Sequence, residues 1–348
     1  MALERLKSLK RKKSRGYLGT NFRELPLGKK FDKYYQKQAD KFVRFFDKRK
    51  DAFMQGAWFP DNVISDNLAG GHTYKLKKPS TESEIKKSKT ISNRPPTHLS
   101  SIKAVEKRLN EKVYFTRGVL PDRCEALIHS IRDMILIQRH EDKGSDILFN
   151  NNQISLYFLM LSHYLADAHV PPHSDDRDFY KPPTIHPDME TYWDKEIKKF
   201  YAFDKKRKVF DYDLNGAPEL KEKNISIFKN SLLYKVLDEL NKRSWCPSDS
   251  KILGKKNKKV YDYVKSVCFV SYLNSTEFIP EMSKSDYAKI KILKDEVYKK
   301  KLDKLSVHIL ADAIDSVALV WLFTWDRYNK LKEEIRKKKK LIKKENKK

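Results

Sequence analysis

The chain has 348 residues, of which 35% are charged and 39% are hydrophobic, and its formal net charge is +27. This length is enough to bury a substantial hydrophobic core. No apolar run reaches the roughly 18 residues that a spanning helix needs, and the basic N-terminus lacks the apolar stretch of a secretory signal. We therefore expect no transmembrane segment and a cytoplasmic protein.

The positive charge is concentrated at the two ends of the chain. Residues 1–15 carry a net charge of +6 and residues 336–348 carry +8. We predict basic tails at 1–20 and 336–348, on either side of a helical domain at 21–335. Such an excess favours phosphate-rich partners, either nucleic acid or an anionic membrane surface. The alternative is that lysine-rich ends are only solvated tails.

Glycine is scarce, and apolar residues recur with the period of a helix rather than a strand, which predicts an all-α fold. Residues 73–100 are polar and rich in Lys, Ser, Thr and Pro, so we predict a long mobile loop there. Helices are predicted over 30–55, 119–140, 151–169, Pro187 to Phe203, 225–243, 257–273 and about 285–340, the last broken or composite.

Three cysteines are present: Cys124, Cys246 and Cys268. Their number is odd and no two have CxxC spacing, which argues against a disulfide framework and against a cysteine zinc site. We interpret them as buried or half-buried thiols.

Candidate metal ligands cluster around the predicted helix 151–169. This helix is apolar almost all round, which is typical of a central buried helix, and Pro171 and Pro172 end it. His163 and Asp167 share one of its faces at i, i+4 spacing.

His173 follows the prolines, and His186 with Glu190 forms a second i, i+4 pair on the next helix. A single such pair would more often be a satisfied core histidine. Burying this many ionisable groups, however, costs several kcal/mol unless a cation compensates. Mixed imidazole and carboxylate ligands favour zinc over magnesium or calcium.

Three motifs in this order resemble the zinc-dependent phospholipase C family and, more distantly, the single-strand-specific zinc nucleases. The first is the stretch GAWFPDNVISDNLAGGHTY, with Asp61 and His72. The second is HYLADAHVPPH, and the third is the H-x3-E of His186 and Glu190, whose spacing is closer to the phospholipase branch. The resemblance covers residues 50–195.

The resemblance implies a multi-helix bundle and a metal-assisted phosphodiester hydrolase that acts on a phospholipid head group. By it, one zinc ion would be held by Asp61, His72, His163 and Asp167, and another by His173, His186 and Glu190. Asp167 would also bridge toward a third zinc.

The family's third zinc needs an N-terminal amine and a nearby histidine. This chain has no histidine before His72. We therefore predict two occupied zinc sites and a missing or weak third. Asp61 is the carboxylate to test as a catalytic residue, and Asp66 is a weaker candidate because acids near a glycine pair are usually turn formers. The alternatives are a zinc nuclease on single-stranded nucleic acid and a non-catalytic zinc-stabilised binding protein.

Overall fold

The structure is a computed structural model that describes part of the chain. Residues 79–100 of the predicted loop lie outside the described residues. Trp58 and Cys246 also lie outside them. The described residues are 1–8, 14–15, 21–22, 30–47, 56–57, 59–66, 70–78, 106–107, 109–110, 112–140, 150–177, 179, 184–199, 203–204, 209–210, 230–242, 259–279 and 289–345.

The described residues are mostly helical, as the sequence predicted. The helices are α1 (Ala2–Ser8), α2 (Lys30–Asp47), α3 (Leu120–His140), α4 (Asn151–Asp167), α5 (Pro171–Ser174), α6 (Ile185–Lys198), α7 (Leu232–Lys242), α8 (Val260–Phe278) and α9 (Glu296–Glu345), with a π-helical turn at Pro60–Ile64. The strands form three antiparallel pairs: β1 (Ser14–Arg15) with β2 (Asn21–Phe22), β3 (Lys75–Lys77) with β4 (Tyr114–Arg117), and β5 (Phe203–Asp204) with β6 (Val209–Phe210).

Helices α3 and α4 match their predicted ranges closely. Helix α4 begins at a reciprocal cap, in which the Asn150 side chain accepts from the backbone N–H of Gln153 while the Gln153 side chain accepts from the backbone N–H of Asn150. Helix α4 ends at Asp167, shortly before the two prolines, and Pro171 begins the short helix α5.

The structure differs from the sequence prediction in three places. The predicted N-terminal tail contains helix α1, where Arg5 is buried and its Nε donates to Asp315 at 2.7 Å. The predicted loop at 73–100 begins with a strand, because Lys75–Lys77 pairs with β4. The predicted last helix is unbroken from residue 296, and the predicted tail from residue 336 continues it as helix to Glu345.

Two apolar clusters form the core, and helix α9 contributes to both. The larger cluster combines α2, α3, α4, α8 and the middle of α9. Its centre is aromatic: the ring of Phe42 contacts the rings of Phe46, Phe158, Trp321 and Trp325. The smaller cluster joins α6 and α7 to the first half of α9. Helix α9 therefore fixes the position of α6 relative to α4.

Helix α9 is also the one described helix that is long and apolar enough to cross a membrane. Of its most apolar window, 56% is buried inside the protein. The core helix of a soluble protein has the same properties, so this observation is weak evidence for a membrane span.

Replacing Phe42 by Ala should lower the free energy of unfolding by about 3–5 kcal/mol, because the cavity would lie at the centre of the aromatic cluster. Urea unfolding followed by circular dichroism measures this change. Val297→Ala is the control, since Val297 is 64% exposed and its truncation should change stability by about 0.5 kcal/mol or less. Equal destabilisation by both substitutions would contradict the assigned core.

Candidate metal centre

Five segments bring the predicted ligands together. Asp61 lies in the π-helical turn, and His72 follows a turn at Gly70 and Gly71. The other ligands lie on three helices: His163 and Asp167 on the last turns of α4, His173 on α5, and His186 with Glu190 on the first turns of α6. All seven predicted ligands therefore come from segments around the C-terminal end of α4.

Asp61, His72 and His163 form the first group that could hold a metal ion. Nε2 of His163 lies 3.1 Å from Nδ1 of His72 and 3.5 Å from Oδ1 of Asp61. Nε2 of His72 lies 3.7 Å from the same Asp61 oxygen. The two imidazoles are largely buried, whereas the Asp61 side chain is 48% exposed, so this group opens to solvent at Asp61.

His173, His186 and Glu190 form the second group. Nε2 of His186 lies 3.0 Å from Nε2 of His173 and 2.8 Å from Oε1 of Glu190. His173 Nε2 is 3.6 Å from that carboxylate oxygen. This group repeats the first, since two buried imidazoles face a carboxylate whose side chain is 47% exposed.

Asp167 lies between the two groups. Its Oδ2 is 2.7 Å from Nδ1 of His72 and 3.2 Å from Nε2 of His163. Its Oδ1 is 3.9 Å from Nδ1 of His173, which belongs to the second group. One carboxylate on α4 therefore faces both groups, each through a different oxygen.

The distances among these donor atoms fit a zinc-sized ion. Zn–N bonds of about 2.0–2.1 Å in tetrahedral geometry separate the ligand atoms by about 3.3 Å. The three donor atoms of the second group are 2.8–3.6 Å apart, and Oδ1 of Asp61 lies 3.5 and 3.7 Å from Nε2 of His163 and Nε2 of His72, so the separations bracket that value. Nε2 of His72 and Nδ1 of His173 are buried and have no hydrogen-bond partner among the described residues. Buried polar nitrogens of this kind are costly unless a ligand satisfies them.

The charges of the centre are strongly coupled. Burial alone would raise the pKa of Asp167, but the facing His163 and His173 hold it well below its usual range. Burial would lower the pKa of His163, but Asp167 and Asp61 raise it to about 10. Without a bound cation, His163 therefore carries a proton at neutral pH.

The second group has the opposite electrostatic balance. Burial lowers the pKa of His186, and the hydrogen bond to Glu190 opposes this only in part. Burial would raise the pKa of Glu190, but His173 and His186 lower it to about 2. Glu190 is therefore ionised at neutral pH and faces a histidine that disfavours a proton, which is the state a metal requires.

Backbone hydrogen bonds connect the His72 turn to the His173 helix. The N–H of Tyr74 donates to the carbonyl of His173 at 3.1 Å, and the N–H of Asp176 donates to the carbonyl of Leu76 at 3.0 Å. The buried Nζ of Lys75 donates to the carbonyls of Pro172 and Asp175 at 2.5 and 2.8 Å. These bonds fix the position of the His72 turn relative to the His173 helix, and therefore of one group relative to the other. Sequence analysis missed Lys75, which lies inside the predicted loop.

A second network supports the His72 turn from the other side. Oδ2 of Asp66 accepts from the hydroxyl of Tyr164 at 2.7 Å and pairs with Nε of Arg123 at 3.0 Å. The ring of Tyr164 lies 5.1 Å from that of His72. Asp66 is thus engaged by Tyr164 and Arg123, and it lies outside both candidate metal groups.

Two further histidines, His169 and His308, have other partners. Nε2 of His169 lies 2.8 Å from the hydroxyl of Ser316, which also contacts the hydroxyl of Tyr263. His308 is half-exposed and lies 3.5 Å from Glu239. Among the described residues, neither histidine belongs to a candidate metal group. Cys124 and Cys268 are buried free thiols, as expected.

Comparison of the chain with protein-family models, with curated proteins and with solved structures finds no match.

Metal binding to the first group should weaken as the pH falls. The His163 pKa of about 10 means that a metal must displace a proton at neutral pH, so acid competes with the metal. We expect affinity to rise about tenfold per pH unit between pH 6 and 8 for each displaced proton. Calorimetry in two buffers with different ionisation enthalpies counts the released protons. An affinity that is constant over this range would contradict the assignment.

Gly71→Ala should weaken metal binding at the first group. A Cβ at Gly71 would lie 2.1 Å from Oδ2 of Asp66, the oxygen held by Tyr164 and Arg123, so the His72 turn must shift. Metal titration of Gly71→Ala, of Asp66→Ala and of the double variant tests this. Asp66→Ala removes the clashing oxygen, so the double variant should bind no more weakly than Asp66→Ala alone. Additive losses would count against this steric explanation.

Proposed function

We propose that the chain is a zinc-dependent phosphodiester hydrolase of phospholipase C type. The observation that carries the proposal is the pair of donor groups on either side of one buried carboxylate, Asp167. The donor set supports zinc, because imidazole and carboxylate together suit zinc better than magnesium or calcium. The proposed fold type is the multi-helix bundle of that family, which is supported by the helical architecture and by the chain order of the ligand-bearing segments.

One metal ion would be held by Asp61, His72, His163 and Asp167, and the other by His173, His186 and Glu190. Zinc bound there supplies Lewis acidity toward a phosphoryl oxygen and activates water near neutral pH. Two groups that share a carboxylate suit a substrate whose charge increases in the transition state. The proposal concerns two metal ions, one for each donor group found among the described residues.

The protein side chains have distinct proposed roles. Asp61 and Glu190 are half-exposed, so substrate would approach from their side of the centre. Asp61 is the proposed catalytic carboxylate, because it is ionisable and lies at the solvent side of the first group. His72, His163, His173 and His186 are largely buried and would hold the metal ions in fixed positions.

Two observations favour different substrates within this class. The H-x3-E spacing of His186 and Glu190 favours a phospholipid head group. The net charge of +27 favours single-stranded nucleic acid, because cations attract a phosphate backbone. The same two donor groups would also suit a third function, that of a zinc-stabilised binding protein without catalysis.

Removing one histidine should remove the metal ion of its own group and leave the other metal ion bound. His163→Ala should leave about one zinc ion per chain, His186→Ala should also leave about one, and the double variant should leave almost none. Elemental analysis of protein purified without chelator and supplied with zinc measures the content. His308→Ala is the matched control, because His308 lies outside both groups, and it should keep two. Folded wild-type protein that binds no metal would overturn the proposal.

Hydrolysis should depend on the same residues. Asp61→Asn should lower turnover at least about a hundredfold while the second group retains its metal ion. The substrates are phosphatidylcholine vesicles, from which phosphocholine release is measured, and a single-stranded oligonucleotide, with each assay repeated in chelator. Chelator-sensitive cleavage of the oligonucleotide alone would assign the nuclease function. Bound zinc with cleavage of neither substrate would leave the non-catalytic function.

A further inference from the structure

Among the described residues, α2 contacts α9 at Asp326 and Lys330. Tyr34, in the second turn of α2, donates its hydroxyl to Asp326 at 2.5 Å, and Nζ of Lys330 lies 5.9 Å from the Tyr34 ring. From Arg336 to Ile342, every residue is exposed. At 1.5 Å per residue, Arg336 to Glu345 extend about 15 Å as helix.

The C-terminal part of α9, Arg327–Glu345, is called the basic segment below. Its sequence contains ten Lys or Arg residues and three Glu residues. Four consecutive lysines, at positions 337–340, are all exposed. Their mutual repulsion disfavours bringing them together on one helix, and an anionic partner would relieve it.

The basic segment is also amphipathic. At 100° per residue, Leu331, Ile335 and Ile342 lie within about 40° of one another around the helix axis and form an apolar stripe. Tyr328 lies about 20° further on and packs against Trp325 of the core. Asp326 faces α2. The centre of the apolar stripe lies about 180° around the helix axis from Asp326. Ile342 is 54% exposed, so the end of the stripe is open to solvent.

Lysines flank the apolar stripe on both sides. Lys338 and Lys339 lie about 20° and 40° outside its edges by the same helical geometry. Their alkyl stems can lie along an apolar surface while the ammonium groups reach toward phosphate. The remaining exposed lysines of the 337–340 run lie on the opposite face. An apolar stripe bordered by lysines is the pattern of a helix that lies in a membrane interface.

We propose that the basic segment docks the protein on an anionic phospholipid surface. A nucleic acid backbone offers phosphates to the lysines but no apolar layer for Ile335 and Ile342. A lipid surface offers both, since isoleucine side chains enter the acyl boundary while lysines contact anionic head groups. The proposal does not depend on the hydrolase function, because it concerns the far end of α9 and requires no bound metal.

The test uses the full-length chain and sedimentation with sucrose-loaded vesicles. One set contains phosphatidylcholine with about 30% phosphatidylserine and the other contains phosphatidylcholine alone. The stripe variant is Ile335→Ser with Ile342→Ser, and the charge variant is Lys338→Glu with Lys339→Glu, the two lysines that flank the stripe. The controls lie at or just before the N-terminal end of α9. Val297→Ser removes an exposed apolar residue and is the control for the stripe variant. Lys294→Glu with Lys300→Glu is the control for the charge variant.

We expect the wild type and both controls to bind the anionic vesicles at least about tenfold more tightly than the neutral ones. The stripe variant should lose at least about tenfold in that affinity although its charge is unchanged, and the charge variant should also lose it. Circular dichroism verifies that each variant remains folded.

Several outcomes would overturn the proposal. Equal affinity of the wild type for both vesicle types would do so, and so would a stripe variant that binds like the wild type. The proposal would also be overturned if the protein bound a single-stranded oligonucleotide in a salt-sensitive manner and the charge variant alone lost that binding. That result would assign the basic segment to nucleic acid.

Discussion

The arrangement of the centre depends on the cost of burying charge at the end of α4. Asp167 is enclosed by imidazoles from three different segments, and its carboxylate is ionised because those imidazoles face it. Among the four largely buried histidines, Nε2 of His72 and Nδ1 of His173 have no hydrogen-bond partner among the described residues. Divalent cations bound at the two groups would offset the cost of burying these imidazoles and carboxylates together.

The sequence was sufficient to predict the helical class and the side chains that converge in the two candidate metal groups. Periodicity predicted α3 and α4 within a few residues, because both are long and bounded by capping residues or prolines. The i, i+4 pairs predicted which ligands share a helix face. The continuity of α9 could also have been predicted, since residues 296–345 contain neither proline nor glycine.

Other features could not be predicted because they depend on long-range contacts. Lys75 and Arg123 carry no local signal, and their roles arise from partners about 41 to 100 residues away in the sequence. Strand β3 is three residues long and is defined by its pairing with β4, so its polar sequence resembled a loop. Helix α1 was interpreted as a charged tail because the part-buried pair of Arg5 and Asp315 joins residues 310 positions apart.

The hydrogen bond from the N–H of Tyr74 to the carbonyl of His173 has a consequence for how the two groups respond to local unfolding. It ties the turn that carries His72 to the helix that carries His173, so opening of either segment displaces a candidate ligand of each group. A side-chain truncation that leaves this backbone bond in place would affect its own group alone.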